Sequence, residues 1–430
     1  MYTYKDALAY LENLQIFGIK LGLEQTFGLM KAVGLPEKKL KFIHIAGSNG
    51  KGSCGAMINA ALRRAGFSTG FYSSPHLISP RERFRVNGEA ISEEEFANLV
   101  STLRSHAEEM TRIGCCPTYF EFTTAMAALY FAEKQVDFVI WETGMGGRFD
   151  STNVVEPLCS VITGIALDHQ QYLGSRMEDI AFEKAGIIKA GRPVFTGKMP
   201  EGAKDVVIKR ADELNALVVE ASDAKILNLK FLTLNSIWTQ SFDFMQYHIN
   251  LSMPGAMQRE NFRIVFSVLE YLAVEFEFQL SEALAGLEEA FWPARCQILP
   301  NGIIIDGAHN ADGIKTLLES LHEFSPDRKI PIIFGGFKDK NTFECLELLE
   351  PWAEYFVFLP LATEFRPSWS GEELREMLKR ISSKESFIAS NPAKALELSS
   401  KKSLRIVCGS LYLAGEFLSI LTPEQEVLNI

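Results

Sequence analysis

FIHIAGSNGKGSCGAM, Phe42 to Met57, is the stretch that decides the fold. An apolar, strand-like run, Phe42–Ala46, stops in a loop of small residues and is followed by a helical pattern over about Cys54–Ala65. Gly47, Gly50 and Gly52 let the main chain approach an anion closely and turn successive N–H groups toward it. Ser48 and Asn49 complete the loop, and the helix behind it offers its positive end. Lys51 supplies a mobile point charge and Ser53 a hydroxyl suited to a phosphate-bound divalent cation. The spacing departs from the generic G-x-x-x-x-G-K-[ST] loop: Ile45 stands where its first glycine would be, and Gly52 follows Lys51. An ordinary strand-to-helix turn is the plainer alternative.

Working outward, strand-like runs alternate with helical stretches. Strands are predicted at Phe42–Ala46, Thr69–Tyr72, Phe138–Glu142, Cys159–Ile165, Val194–Thr196 and Ala216–Glu220. Helices include Glu93–Met110 and Phe122–Lys134. Short continuous apolar strands between helices predict a mostly parallel sheet covered on both faces. Asp223–Leu251 alternates more and reads as antiparallel strands; a helix over Met257–Phe276 follows. Trp292-Pro293 punctuates a boundary, and a second α/β series begins, with strands at Gly302–Asp306, Ile330–Gly335, Tyr355–Pro360 and Leu404–Cys408. The expectation is α/β: a P-loop-type, mostly parallel sheet domain over residues 1–292, then a smaller Rossmann-like α/β domain over 293–430.

The 430 residues are 47% hydrophobic, enough for two or three domains with ample cores. No run reaches the roughly 20 apolar residues of a membrane helix. The start, MYTYKDALAYLENL, is amphipathic and unlike a signal peptide. Seven scattered cysteines without metal-ligand spacing read as reduced thiols in the cytoplasm. With 43 basic and 54 acidic residues the net charge is −11, which argues against a nucleic-acid surface. Anions must then be bound by local devices: backbone N–H groups, a few Lys or Arg, and metal ions.

HIAGSNGKGS resembles the variant P-loop of the folylpolyglutamate synthases and dihydrofolate synthases, relatives of the Mur ligases. Ser48 stands where the family usually has threonine, which keeps the hydroxyl. The resemblance spans nearly the whole chain in order: FGIKLGLEQ, the loop, YSSPHLISPRERFRVNG, TYFEFTTAMAALYF, WETGMGGRFDSTN, ITGIALDHQQYLG, EKAGIIK, WPAR, IIIDGAHNADG, FKDK and CGSLYLAGE.

Glu142 and Asp168-His169 each end an apolar strand, where ligands bind in such sheets. Alone, Glu142 reads as a capping or ion-paired carboxylate and His169 as a structural histidine. The resemblance implies that Ser53, Ser74, Glu142, His169 and Lys184 hold Mg²⁺, with Lys184 of EKAGIIK carbamylated; the alternative is a plain lysine paired with an acid. It also implies a cis peptide before Pro75, and substrate contacts at Pro75, Arg83, Asp150 and Ser410. ATP would be held by Gly47, Ser48, Asn49, Gly50, Lys51, Gly52 and Ser53 together with Asn261, Arg295, Asp306, His309 and Asn310 across a domain cleft. Met257 replaces a family histidine, and Arg366 stays unassigned.

The activity so implied is ATP-dependent amide formation. A carboxylate on dihydropteroate or a folate becomes an acyl phosphate, and the amine of L-glutamate displaces phosphate. Lys51, Arg295 and Mg²⁺ would offset the charge, Lys184 would serve the metal, and His309 is a candidate base. The expected partners are these small molecules, without nucleic acid or membrane, and the expected state is a monomer. Three alternatives stand: a Mur-type ligase acting on a cell-wall precursor, a non-catalytic P-loop module, and a small-molecule kinase. RERFRVNG and TYFEFTTA favour the folate branch.

Overall fold

The apolar runs read from the sequence form two parallel-rich sheets in a computed structural model that describes residues 2–15, 22–234, 237–324, 329–363, 366–400 and 404–430. Residues 17–21 of FGIKLGLEQ lie outside the described residues. Packing divides the chain into two units. One holds Met1–Ser222, Arg263–Gly286 and Leu428–Ile430; the other holds Asp223–Phe262 and Leu287–Val427.

The first unit carries eight strands: β1 Phe42–Ala46, β2 Thr69–Tyr72, β3 Phe84–Val86, β4 Glu89–Ala90, β5 Phe138–Glu142, β6 Cys159–Ile162, β7 Val194–Thr196 and β8 Val218–Glu220. Their order is β4-β3-β2-β5-β1-β6-β7-β8. From β2 to β8 all pairings are parallel; β3 and β4 extend one edge antiparallel. Parallel neighbours put their carboxyl ends together, so loops after β2, β5, β1 and β6 gather along one sheet edge. β1 and β5 are buried at every position, as strands covered on both faces must be. One core packs helices against β1, β2 and β5 through Leu29, Phe42, Tyr72, Phe96, Phe122 and Trp141. A second core packs helices Met177–Ala185 and Glu201–Glu213 on β6 and β7. Each such apolar side chain contributes about 1.5–3 kcal/mol on burial.

The second unit has an antiparallel sheet of β9 Ile226–Leu234, β10 Ile237–Phe244 and β11 Tyr247–Leu251, as the alternation predicts. Its other sheet is β12 Gln297–Ile298, β13 Ile303–Ile305, β14 Ile330–Phe334, β15 Ala353–Phe358, β16 Ser386–Ile388 and β17 Arg405–Cys408, ordered β12-β13-β17-β14-β15-β16. Only the β12–β13 pairing there is antiparallel.

Several boundaries differ from the sequence reading by one to three residues, and three of the differences have a plain physical reason. The helix after the glycine loop runs Lys51–Arg64 and not from Cys54, because Gly50, at φ 85°, turns the chain straight into it. β6 ends at Ile162 and not at Ile165, because Thr163 and Gly164 leave the sheet to bond the glycine loop. The helix read from Phe122 starts at Tyr119, where Thr118 and Glu121 form a capping box. The packing units do not follow a single cut at 292/293: the β9–β11 sheet clusters with the later residues and Leu428–Ile430 with the earlier ones. None of the seven cysteines is in a disulfide; Cys115 and Cys116 are partly exposed, in a loop after the helix Glu93–Arg112, and the other five are buried.

Candidate active site

In the first unit the site begins with the glycine loop, which is stitched to the segment after β6. The Ser48 N–H donates to the Gly164 carbonyl (2.9 Å), and its hydroxyl to the Ala166 carbonyl (2.9 Å). The Thr163 hydroxyl donates to the Asn49 carbonyl (2.5 Å). Gly47 is required by close approach: a Cβ there would lie 1.9 Å from Thr163 Oγ1. Lys51 Nζ donates to the Gly47 carbonyl (3.1 Å), so its charge folds back over the loop. The helix Lys51–Arg64 has no side-chain cap, and its first helical hydrogen bond is from Cys54 N–H to Gly50. Its leading N–H groups are what an anion would use. Ser53 Oγ is buried and has no hydrogen-bond partner.

Register brings two more groups to this edge. Glu142 ends β5 opposite Ile45, and Tyr72 of β2 pairs with Trp141. Two residues beyond β2, the Ser74 N–H donates to Glu142 Oε2 (3.1 Å). The Ser74–Pro75 peptide is cis, as the resemblance implies. Lys184 is buried on the helix Met177–Ala185. Burial first, then the Lys51 charge, pushes its pKa down to about 7, against the pull of Asp168 and Asp150. Asp168 is buried and accepts the His169 N–H (2.8 Å); its Oδ2 is 3.8 Å from His169 Nε2. Glycine loop, Lys51, Lys184, Asp150 and Asp168 thus form one electrostatic neighbourhood. Among the described residues no three His, Cys, Asp or Glu side chains cluster as a metal cage. The oxygens of Ser53 and Glu142 are hard donors of the kind Mg²⁺ takes, and the orphaned Ser53 hydroxyl fits such an ion.

Asp150 organises its own loop. Its carboxylate accepts the N–H of Met145 (2.8 Å), the N–H of Thr152 (3.0 Å) and the Thr152 hydroxyl (2.5 Å). Burial raises its pKa while these bonds oppose the shift. With the Thr152 hydroxyl committed to Asp150, His44 Nε2 donates to Thr152 Oγ1 (3.0 Å). Burial lowers the His44 pKa to about 3, so the ring is neutral. Arg83 is buried and its Nε donates to His76 Nδ1 (2.9 Å). The loop between is held by Glu82, whose carboxylate accepts the N–H groups of Leu77 (2.9 Å), Ile78 (2.7 Å) and Ser79 (2.7 Å). Sequence reasoning missed His44, Thr152, His76, Glu82 and Thr163; each lies inside a quoted motif, but its partners are set by folding.

In the second unit Asp306 follows β13 and accepts the N–H of Cys296 (2.7 Å) and of Ala308 (2.7 Å). Burial raises its pKa, and Arg295 is the first of the groups that oppose it. Arg295 Nη1 donates to the Ala294 carbonyl (3.2 Å), and a Cβ on Gly307 would lie 2.7 Å from that nitrogen. His309 Nδ1 donates to the Gly307 carbonyl (2.8 Å), which places the neutral ring's lone pair on Nε2. The Gly409 N–H donates to the Ala308 carbonyl (2.8 Å), bringing the Ser410 turn beside this loop. Ser410 caps the helix Leu411–Leu421, and Asn310 Oδ1 accepts the Gly313 N–H (2.8 Å). Asn261, on the helix Ala256–Glu275, donates to Gln258 (3.0 Å). Arg366 is ion-paired to Asp339 (2.5 Å).

Two family models match the chain: the Mur ligase middle domain over residues 45–269 and the Mur ligase glutamate ligase domain over residues 294–411. The fold and the glycine-loop site are thus those of a Mur-type ligase. The dihydrofolate synthase/folylpolyglutamate synthase of Bacillus subtilis (strain 168) is 40% identical over 368 residues, covering 83% of this chain and 85% of that protein. Mycobacterium tuberculosis folylpolyglutamate synthase, solved with ADP and AMPPCP, superposes with a TM-score of 0.87 at 25% identity, over 98% of this chain and 99% of that one. The E. coli enzyme solved with DHPP and ADP gives a TM-score of 0.83 at 28% identity, over 97% of each chain. The chain belongs to the folylpolyglutamate synthase and dihydrofolate synthase family of the Mur ligases, and it is an ATP-dependent ligase.

Proposed function

We propose that this ligase couples ATP cleavage to the addition of L-glutamate to dihydropteroate, to a tetrahydrofolate, or to both. The observation that carries the reading is the glycine loop: an uncapped helix start, Lys51 folded across it, and a buried Ser53 hydroxyl without a partner. Such a cradle wants a triphosphate and its cation.

The residues that would hold Mg²⁺ are Ser53, Ser74, Glu142, His169 and a carbamylated Lys184; bound there, the ion would neutralise developing phosphate charge. Gly47 to Ser53 grip the phosphates, and Lys51 and Arg295 supply positive charge. Asp306 and Asn310 fix the loop that carries His309, and Asn261 serves the nucleotide base. The pterin carboxylate oxygen attacks the γ-phosphorus; the bond to the β-bridging oxygen breaks and ADP leaves. The glutamate amine then attacks the acyl carbon of the mixed anhydride, the C–O bond to phosphate breaks, and the ammonium proton passes to a base. His309 Nε2 carries the lone pair for that proton. Pro75, Arg83, Asp150 and Ser410 serve the organic substrates. Residues 1–292 act as the ATP and pterin domain and 293–430 as the glutamate ligase domain. A monomeric, cytoplasmic enzyme is the accompanying reading; among the described residues no helix is long and apolar enough to cross a membrane.

The test is steady-state ADP release with ATP and glutamate plus, in turn, dihydropteroate, tetrahydrofolate and a UDP-muramoyl substrate. Turnover with either pterin is expected, and Lys51→Ala should abolish it. Turnover with the muramoyl compound alone would overturn the proposal.

A further inference from the structure

Arg83 poses a problem that its surroundings leave open. The residue is 8% exposed, yet its side-chain contacts are a hydrogen bond from Nε to His76 Nδ1 (2.9 Å) and the face of the Tyr119 ring, 5.2 Å from the guanidinium carbon. Neither Nη group has a hydrogen bond or ion pair among the described residues. A guanidinium taken out of water without an anion is costly unless a ligand completes it. The two Nη groups form a fork that matches a carboxylate.

We infer that His76 is a positioning residue: by accepting Nε–H it fixes the guanidinium on Tyr119 and leaves the Nη fork for a carboxylate of the substrate. The direction of the bond requires a lone pair on Nδ1, so the ring proton sits on Nε2. The chain just after His76 is held by Glu82, whose carboxylate gathers the N–H groups of Leu77, Ile78 and Ser79. Tyr119 starts the helix fixed by the Thr118–Glu121 capping box. A lysine at position 83 would carry the charge without the fork, and a phenylalanine at 76 would fill the space without the acceptor.

The inference rests on the proposed pterin carboxylate as substrate, and its test separates the two. His76→Phe and His76→Asn are compared with the wild type in two measurements: steady-state kinetics, and hydrogen exchange of the Arg83 Nε–H by NMR. In His76→Phe, KM for the pterin substrate should rise about tenfold or more, the scale of losing one charge-assisted hydrogen bond. Its kcat should stay within about threefold and KM for ATP unchanged. His76→Asn, which keeps an acceptor, should recover most of the KM. The Nε–H should be protected in the wild type and in His76→Asn. An unchanged KM in His76→Phe, an Asn variant no better than Phe, or an unprotected Nε–H in the wild type overturns the role of His76. A wild type that turns over no pterin instead defeats the proposed function, and the exchange measurement then decides on His76 alone. Should His76→Phe fold poorly, the Asn variant and the wild-type exchange still decide.

Discussion

Lys184 must keep a charge, or lose it, where water cannot help. Unfolded, its amine holds a proton up to about pH 10.5; in the folded chain burial moves that point to about 7. Between these values the unfolded chain binds more protons, so stability rises as pH rises through the window; below about pH 7 the full cost of the buried charge is present. In bicarbonate-free buffer the urea midpoint of the wild type should therefore climb between pH 7 and 10 relative to Lys184→Met. Parallel curves for the two proteins would count against a buried, unpaired amine. A second residue-scale prediction concerns Gly47. Its alanine variant would push a methyl group to 1.9 Å from Thr163 Oγ1 and shift the loop that carries the phosphate-facing N–H groups. ADP release should fall about 100-fold, as a displacement near 1 Å in a site does. Near-wild-type turnover would mean that the loop tolerates the shift. The types of these residues were legible in the sequence: a lysine in EKAGIIK, a glycine before Ser48. What made them critical is set by folding: burial for Lys184, and for Gly47 the approach of Thr163, more than a hundred positions along the chain.

At the level of elements, the strands were the most legible part, because buried parallel strands are unbroken apolar runs. β1, β2, β5 and β7 match their predicted limits. Helix starts were harder. The T-Y-F-E signature at Thr118–Glu121 was in plain view as a capping box, but the apolar residues behind it drew the start three positions too late. The loop Leu77–Ser79 was not legible at all, since Glu82 works on main-chain N–H groups that no side-chain pattern reveals. Its loss has a measurable cost. Glu82→Gln replaces one carboxylate oxygen by a donor facing N–H groups, so the variant should lose about 1–3 kcal/mol and melt a few degrees lower. Calorimetry checks this, and an unchanged melting temperature would show the loop to be held by other contacts.

For the molecule as a whole, both the α/β class and the two series of strands were read from the sequence, whereas the packing units were not. No composition shift marks Leu428–Ile430 as part of the first unit. Arg85, 1% exposed, donates Nε to the Leu428 carbonyl (2.8 Å), Arg63 donates to the Ile430 carbonyl (2.7 Å), and the Ile430 N–H reaches Gly88 (2.8 Å). Removing these three residues exposes the Leu428 site and takes an acceptor from Arg85, at a cost of about 2–5 kcal/mol. Urea denaturation of the shortened chain measures it; a loss below about 1 kcal/mol would show that the tail only rests on the surface.

The thiol pattern offers experimenters a reporter. Five cysteines are shielded by the fold, so a maleimide dye applied under native conditions is directed to Cys115 and Cys116. Those two lie just ahead of the helix whose first residue, Tyr119, sits under the Arg83 guanidinium. With one of the pair replaced by serine, a single fluorophore would sit a few residues from the Arg83 fork, so emission changes on adding folate could follow occupancy without any turnover.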